Sequence, residues 1–159
     1  MSEKYNLNGG CTCGKVKYSI SEKPLFTQAC HCVDCKISTG SSYVIHTTIL
    51  DKTLSVEGKV ASTVLPTGSG KGYRAFFCIE CGVYLYCKYY IGPGRLNVRT
   101  KTLEDPNKFP PQVHIFTKDK DPWLNLSNKE KCFETAYDRD KTWSVESVKR
   151  YNEHLATIK

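Results

Sequence analysis

Cys30-His31-Cys32-Val33-Asp34-Cys35 places three thiols within six residues. Packing alone does not ask for this, because a free cysteine packs as an isolated small hydrophobe. Outward from this stretch lie two further pairs: Cys11 with Cys13 in Gly10-Cys11-Thr12-Cys13-Gly14, and Cys78 with Cys81 in Cys78-Ile79-Glu80-Cys81-Gly82. Of the nine cysteines, Cys87 and Cys132 stand apart from any group and read as buried free thiols.

The redox compartment decides what such clusters mean. Met1 to Gly9 is polar and lacks the apolar core of a secretory signal. No apolar run approaches the roughly 18 residues of a membrane span. A cytoplasmic location is expected, with the nucleus as the alternative, and no membrane partner. In a reducing compartment, clustered cysteines point to metal or catalysis before disulfides.

The cysteine arithmetic then divides the groups. A structural zinc takes four ligands in a closed tetrahedron, whereas a catalytic zinc keeps three and leaves a place for water or substrate. Two pairs make four, and the triplet makes three. Glycine follows the second thiol of each pair, at Gly14 and Gly82, where a turn of the amides toward sulfur often needs positive φ. Lys36 follows Cys35 instead, so the triplet differs in kind. The competing reading has all seven thiols serving structure, with a histidine completing the second site. His31, lying between two ligands, is expected to point away from them, and His46 and His114 sit in strands.

Charge narrows the partners. The chain carries +7 formally, with 12 Lys/Arg against 6 Asp/Glu in residues 1–100 and 11 against 10 afterwards. Two thiolate-held zincs would reduce +7 to about +4. That suits a small anionic substrate. The basic residues are scattered, no aromatic stacking platform is evident, and a nucleic-acid partner is not expected. The loop Pro66-Thr67-Gly68-Ser69-Gly70-Lys71-Gly72 fails the phosphate-loop pattern, since Gly72 stands where Ser or Thr belongs and Leu65 where the first glycine belongs. It reads as a mobile hairpin loop reaching over the site.

At 159 residues with 40% hydrophobic and 25% charged content, a globular domain with a real core is expected. Residues 1–14 read as a lead-in, and Lys15 to Ile20 as a half-buried strand. Tyr43 to Leu50, Thr53 to Glu57 and Val60 to Leu65 read as a meander of antiparallel strands. Tyr73 to Cys78 and Val83 to Tyr89 flank the second pair as a hairpin, and Arg95 to Arg99 and Val113 to Thr117 are further strands. Residues 101–112, rich in proline, form an irregular connection. Val33 to Thr39 is short helix. The clearest helix runs from about Ser144, its N-cap, to Leu155.

These residues together resemble the glutathione-dependent formaldehyde-activating enzyme family, which also contains the centromere protein V domain. The resemblance rests on Gly10 to Tyr18, on Cys30 to Cys35 with Gly40, on Arg74 to Gly82, and on His114-Ile115-Phe116 and Trp123. It departs at Lys36, where many members have arginine, and beyond about Cys132. It implies a mostly β, tent-like fold of stacked antiparallel sheets stapled by zinc, here with a short C-terminal helix. Residues 1–125 would form the zinc-binding domain, and residues 126–159 an extension whose helix packs on the same domain. It implies two zincs per chain: a structural one on Cys11, Cys13, Cys78 and Cys81, and an open, catalytic one on Cys30, Cys32 and Cys35. The implied reaction is that of a carbon–sulfur lyase in the reverse sense, joining glutathione or another small thiol to formaldehyde or a similar small aldehyde. Two alternatives stand beside it: a non-enzymatic zinc module that binds chromatin or a protein, and a thiol-dependent enzyme acting on another electrophile.

Overall fold

The computed structural model of the chain describes residues 5–67 and 70–158. The chain is mostly β, arranged as two sheets. The smaller has the order β1-β2-β5, all antiparallel, from β1 (Leu7–Gly10), β2 (Lys17–Ile20) and β5 (Leu54–Glu57). The larger has the order β10-β3-β4-β9-β8-β7-β6. Its strands are β3 (Phe26–Cys30), β4 (Val44–Leu50), β6 (Val60–Leu65), β7 (Tyr73–Cys78), β8 (Tyr84–Tyr89), β9 (Arg95–Arg99) and β10 (Val113–Ile115). Its neighbours are antiparallel except β10 and β3, which run parallel. The helices are α1 (Val33–Thr39), α2 (Arg139–Thr142) and α3 (Val145–Thr157).

Alternation along the strands explains the layering. Tyr18 and Ile20 of β2, with Val16 just before it, face Ile49, Tyr86, Leu96 and Val98 of the large sheet. Each such fully buried aliphatic side chain contributes about 1.5–3 kcal/mol. Tyr18 crosses directly over Gly9: a Cβ there would lie 2.3 Å from the ring carbon bearing the hydroxyl. Only glycine lets β1 lie beneath that ring, whose hydroxyl meets Thr102 Oγ1 at 2.7 Å.

The opposite face of the large sheet is covered by the C-terminal segment. Trp143 stacks on Phe26 with centroids 5.7 Å apart, and its Nε1–H donates to Tyr137 Oη at 2.8 Å. Ser147 Oγ–H donates to the Leu25 carbonyl, and Tyr151 Oη–H to that of Pro93. His154 Nε2 meets Asp51 Oδ1 at 2.8 Å. Ser144 caps α3 by accepting from the Ser147 amide. Among the described residues, no helix is long and apolar enough to cross a membrane.

Three expectations need correction. The meander is not one: β5 pairs with β2, and β6 with β7. A helical turn at Asp51–Thr53 carries the chain out of the large sheet, and the Ser21 amide donates to the Thr53 carbonyl at 3.0 Å to dock it on β2. The lead-in contains β1, and β3 runs directly into the cysteine cluster. The last strand is shorter than expected because Phe116 turns it at φ 54°. The glycine loop expected to reach over the site includes Gly68 and Ser69, which lie outside the described residues.

If the C-terminal segment shares the core, truncating its central aromatic weakens the whole chain. Trp143→Ala is expected to cost about 3–5 kcal/mol. Urea unfolding followed by far-UV circular dichroism should show one transition at a lower midpoint with unchanged slope. A shift worth less than about 1 kcal/mol would mean the segment packs loosely.

Candidate metal centres

The two glycine-backed pairs form matching turns in different sheets. Cys11 N–H donates to Val16 O and Cys78 N–H to Val83 O, both at 3.0 Å. Gly14 N–H donates to Cys11 O at 3.1 Å and Gly82 N–H to Cys78 O at 2.9 Å. Both glycines have positive φ, 74° and 71°. The turns bring Cys11, Cys13, Cys78 and Cys81 together with all four sulfurs within 4.8 Å of one another. Cys11 and Cys13 sulfurs are 3.4 Å apart, and those of Cys13 and Cys78 are 3.7 Å apart. A tetrahedron of Zn–S bonds of about 2.3 Å has edges of about 3.8 Å, so the donors fit that ion. The Val16 amide donates to Cys11 Sγ at 3.2 Å, an interaction that stabilises thiolate.

The triplet is built from the end of β3 and the start of α1. Cys30, Cys32 and Cys35 also bring their sulfurs within 4.8 Å of one another, and among the described residues no imidazole nitrogen or carboxylate belongs to that group. Cys32 is the N-cap of α1, accepting from the Cys35 amide at 3.4 Å. Hydrogen bonds from Cys30 and then Cys35 hold the Cys32 thiol far below its ordinary value, while the same contacts push Cys30 and Cys35 up. Metal binding by thiols requires their deprotonation, so loading this site would release protons. Lys36 anchors the helix from outside, its ammonium 2.7 Å from both the Asp119 carbonyl and Asp121 Oδ1.

The histidines sort themselves. His31 is fully buried and turns away from the sulfurs, its Nε2 lying 2.9 Å from His114 Nδ1. His114 Nε2 in turn approaches Glu130 Oε1 at 3.3 Å. His46 Nε2 comes to 3.8 Å from Cys35 Sγ but lies outside the sulfur group. Burial lowers His31 to about 4 and His46 to about 3, so both are neutral at physiological pH.

One neighbour of the triplet is absent from the expected site: Arg99. It sits opposite His46 in the β4–β9 register and is only 6% exposed. Its Nη2–H donates to Ser38 Oγ at 3.1 Å, and Ser38 Oγ–H donates back to the Cys35 carbonyl. The guanidinium carbon lies 3.8 Å from the ring centre of Tyr84. Polar Arg95, Asn97 and Arg99 alternate with apolar Leu96 and Val98, which is the sequence pattern of a solvated face; α1 and Tyr84 cover it. Of the unpaired cysteines, Cys87 is buried as expected, but Cys132 is exposed, because its segment lies along the outer edge of β10.

A model of the glutathione-dependent formaldehyde-activating enzyme family matches residues 6–119. A Halomonas elongata protein provisionally named a glutathione-dependent formaldehyde-activating enzyme is 25% identical over 135 residues, covering 80% of this chain and 86% of that protein. A crystal structure of a Rhodobacter sphaeroides protein superposes with a TM-score of 0.48 at 25% identity, over 61% of this chain and 87% of that one. The family match takes in all seven clustered thiols and Arg99, and the chain belongs to the glutathione-dependent formaldehyde-activating enzyme family.

Proposed function

We propose that the protein joins the thiol of glutathione to formaldehyde, giving S-(hydroxymethyl)glutathione, with a zinc ion held by Cys30, Cys32 and Cys35. The observation that carries this reading is the size of the triplet: three convergent sulfurs with, among the described residues, no fourth protein donor in the group. Cys11, Cys13, Cys78 and Cys81 would hold a second zinc whose shell is closed and whose role is to join the sheets. Thiolate donors are soft and select zinc over magnesium or calcium.

Zinc in the triplet would supply an electrophilic place for the substrate thiol and lower its pKa. The reaction itself is an addition. The sulfur lone pair forms the bond to the formaldehyde carbon, the carbonyl π pair moves to oxygen, and that oxygen takes up a proton, balancing the one lost from the thiol. The protein's contribution is chiefly orientation. β3 and α1 fix the three sulfurs, the Lys36 bond to Asp121 fixes α1, and His31, tied to His114, keeps its ring out of the shell.

The division of labour predicts unequal consequences of losing one thiol. Cys81→Ser is expected to lose one zinc and most of the β signal. Cys32→Ser is expected to lose one zinc and keep the fold. Metal analysis beside circular dichroism checks this, and equal behaviour of the two variants contradicts it.

Activity is measured as glutathione adduct formed from a panel of small aldehydes. The rate must be read above the spontaneous one, because formaldehyde and thiols combine unaided. The expected result is acceleration largest with formaldehyde and absent in Cys32→Ser. Acceleration with another aldehyde alone would point to a different substrate, and none with any aldehyde would favour a binding module.

A further inference from the structure

A buried guanidinium without a carboxylate is costly, because its charge has left water and its donors have lost their partners. Arg99 is in that position: among the described residues its Nε and Nη1 have no acceptor, and only Nη2 is engaged, by a neutral serine. His46 Nδ1, on the strand directly opposite, is buried and unpartnered too. Tyr84 Oη, close to Cys87 and Tyr73, has no hydrogen bond of ordinary geometry among the described residues. Three unfilled polar groups therefore stand together on the face of the large sheet that carries Cys30.

The local backbone is shaped to produce this arrangement. Register shifts between Phe76 and Phe77, so that Phe76 pairs with Tyr86 but Phe77 pairs with Tyr84. Simple alternation would put Tyr84 and Tyr86 on one face. The irregularity sends Tyr86 to the core between the sheets and turns Tyr84 to the other face, beneath the Arg99 guanidinium. Bulges next to functional sites commonly re-aim a side chain in this way.

We propose that Arg99, with His46 and Tyr84 beside it, is a carboxylate-binding subsite of the three-thiol centre and receives the glycine carboxylate of glutathione. The identity of the ligand rests on the reading of function above; the anion site rests on the unfilled donors. Arg99 is one side chain from the triplet by two routes, through His46 to Cys35 Sγ at 3.8 Å and through Ser38 to the Cys35 carbonyl at 3.1 Å. In glutathione, the thiol and the glycine carboxylate belong to adjacent residues, with Cα atoms about 3.8 Å apart. The α-carboxylate of the γ-glutamyl group lies farther from sulfur. Arginine suits the task because it stays charged and offers several donors to one carboxylate.

Acetate is the first probe. Titrated into the zinc-loaded, ¹⁵N-labelled protein, it should shift the Arg99 Nε–H signal saturably, that signal being assigned by its loss in Arg99→Lys. The second probe is the pair glutathione and its glycine ethyl ester, with affinities from calorimetry. The wild type should prefer the free acid by roughly ten-fold or more, as expected for a charge-assisted bond. Arg99→Gln should bind both alike while retaining both zincs. A saturable acetate shift with no glutathione binding by any variant would keep the anion site and reject glutathione as its ligand. An unmoved Nε–H signal, undiminished preference in Arg99→Gln, or loss of zinc from that variant would overturn the proposal and leave Arg99 as a structural counter-charge.

Discussion

Four sulfurs from two turns, with Cys13 and Cys78 separated by 65 positions, must converge on one point for this fold to close. Those turns belong to different sheets. Their meeting fixes how the small sheet lies over the large one, and therefore how Val16, Tyr18 and Ile20 enter the core between them. Thiolates this close repel one another unless a cation lies among them. The packing of the two layers and the occupancy of this cluster are thus one problem, in which hydrophobic burial brings the turns near and a metal in the cluster would remove the repulsion.

The triplet has the same donor chemistry with one sulfur fewer, and it is the more buried of the two clusters. It belongs to one continuous segment, so it does not join distant parts of the chain. That difference is what the proposed division into a structural and a catalytic centre rests on, beside the number of ligands. Around it the protein places neutral imidazoles, a helix tied down by Lys36 and Asp121, and a buried cation at Arg99. The unpaired donors of that cation are the basis for the anion subsite proposed above.

Much of this was legible in the residues. Val60–Leu65, Tyr73–Cys78 and Arg95–Arg99 were bounded by glycine and charged turns, and both α1 and α3 carried recognisable ends. The three cysteine groups announced themselves by spacing, and the glycines after Cys13 and Cys81 signalled by their position the positive φ that they adopt. What stayed hidden was non-local. β1 is Leu-Asn-Gly-Gly, a poor strand by composition, and it exists because Tyr18 needs a glycine beneath its ring. The pairing of β5 with β2 depends on a turn that redirects the chain, which alternation cannot express. Arg99 followed a solvated pattern and was buried by elements far along the chain.

The most direct test of the uneven sulfur shells is zinc-edge X-ray absorption on the fully loaded protein. The account predicts two zincs sharing seven sulfurs and one lighter donor, with added glutathione replacing that donor by an eighth sulfur. A single zinc per chain, or a spectrum indifferent to glutathione, would contradict it.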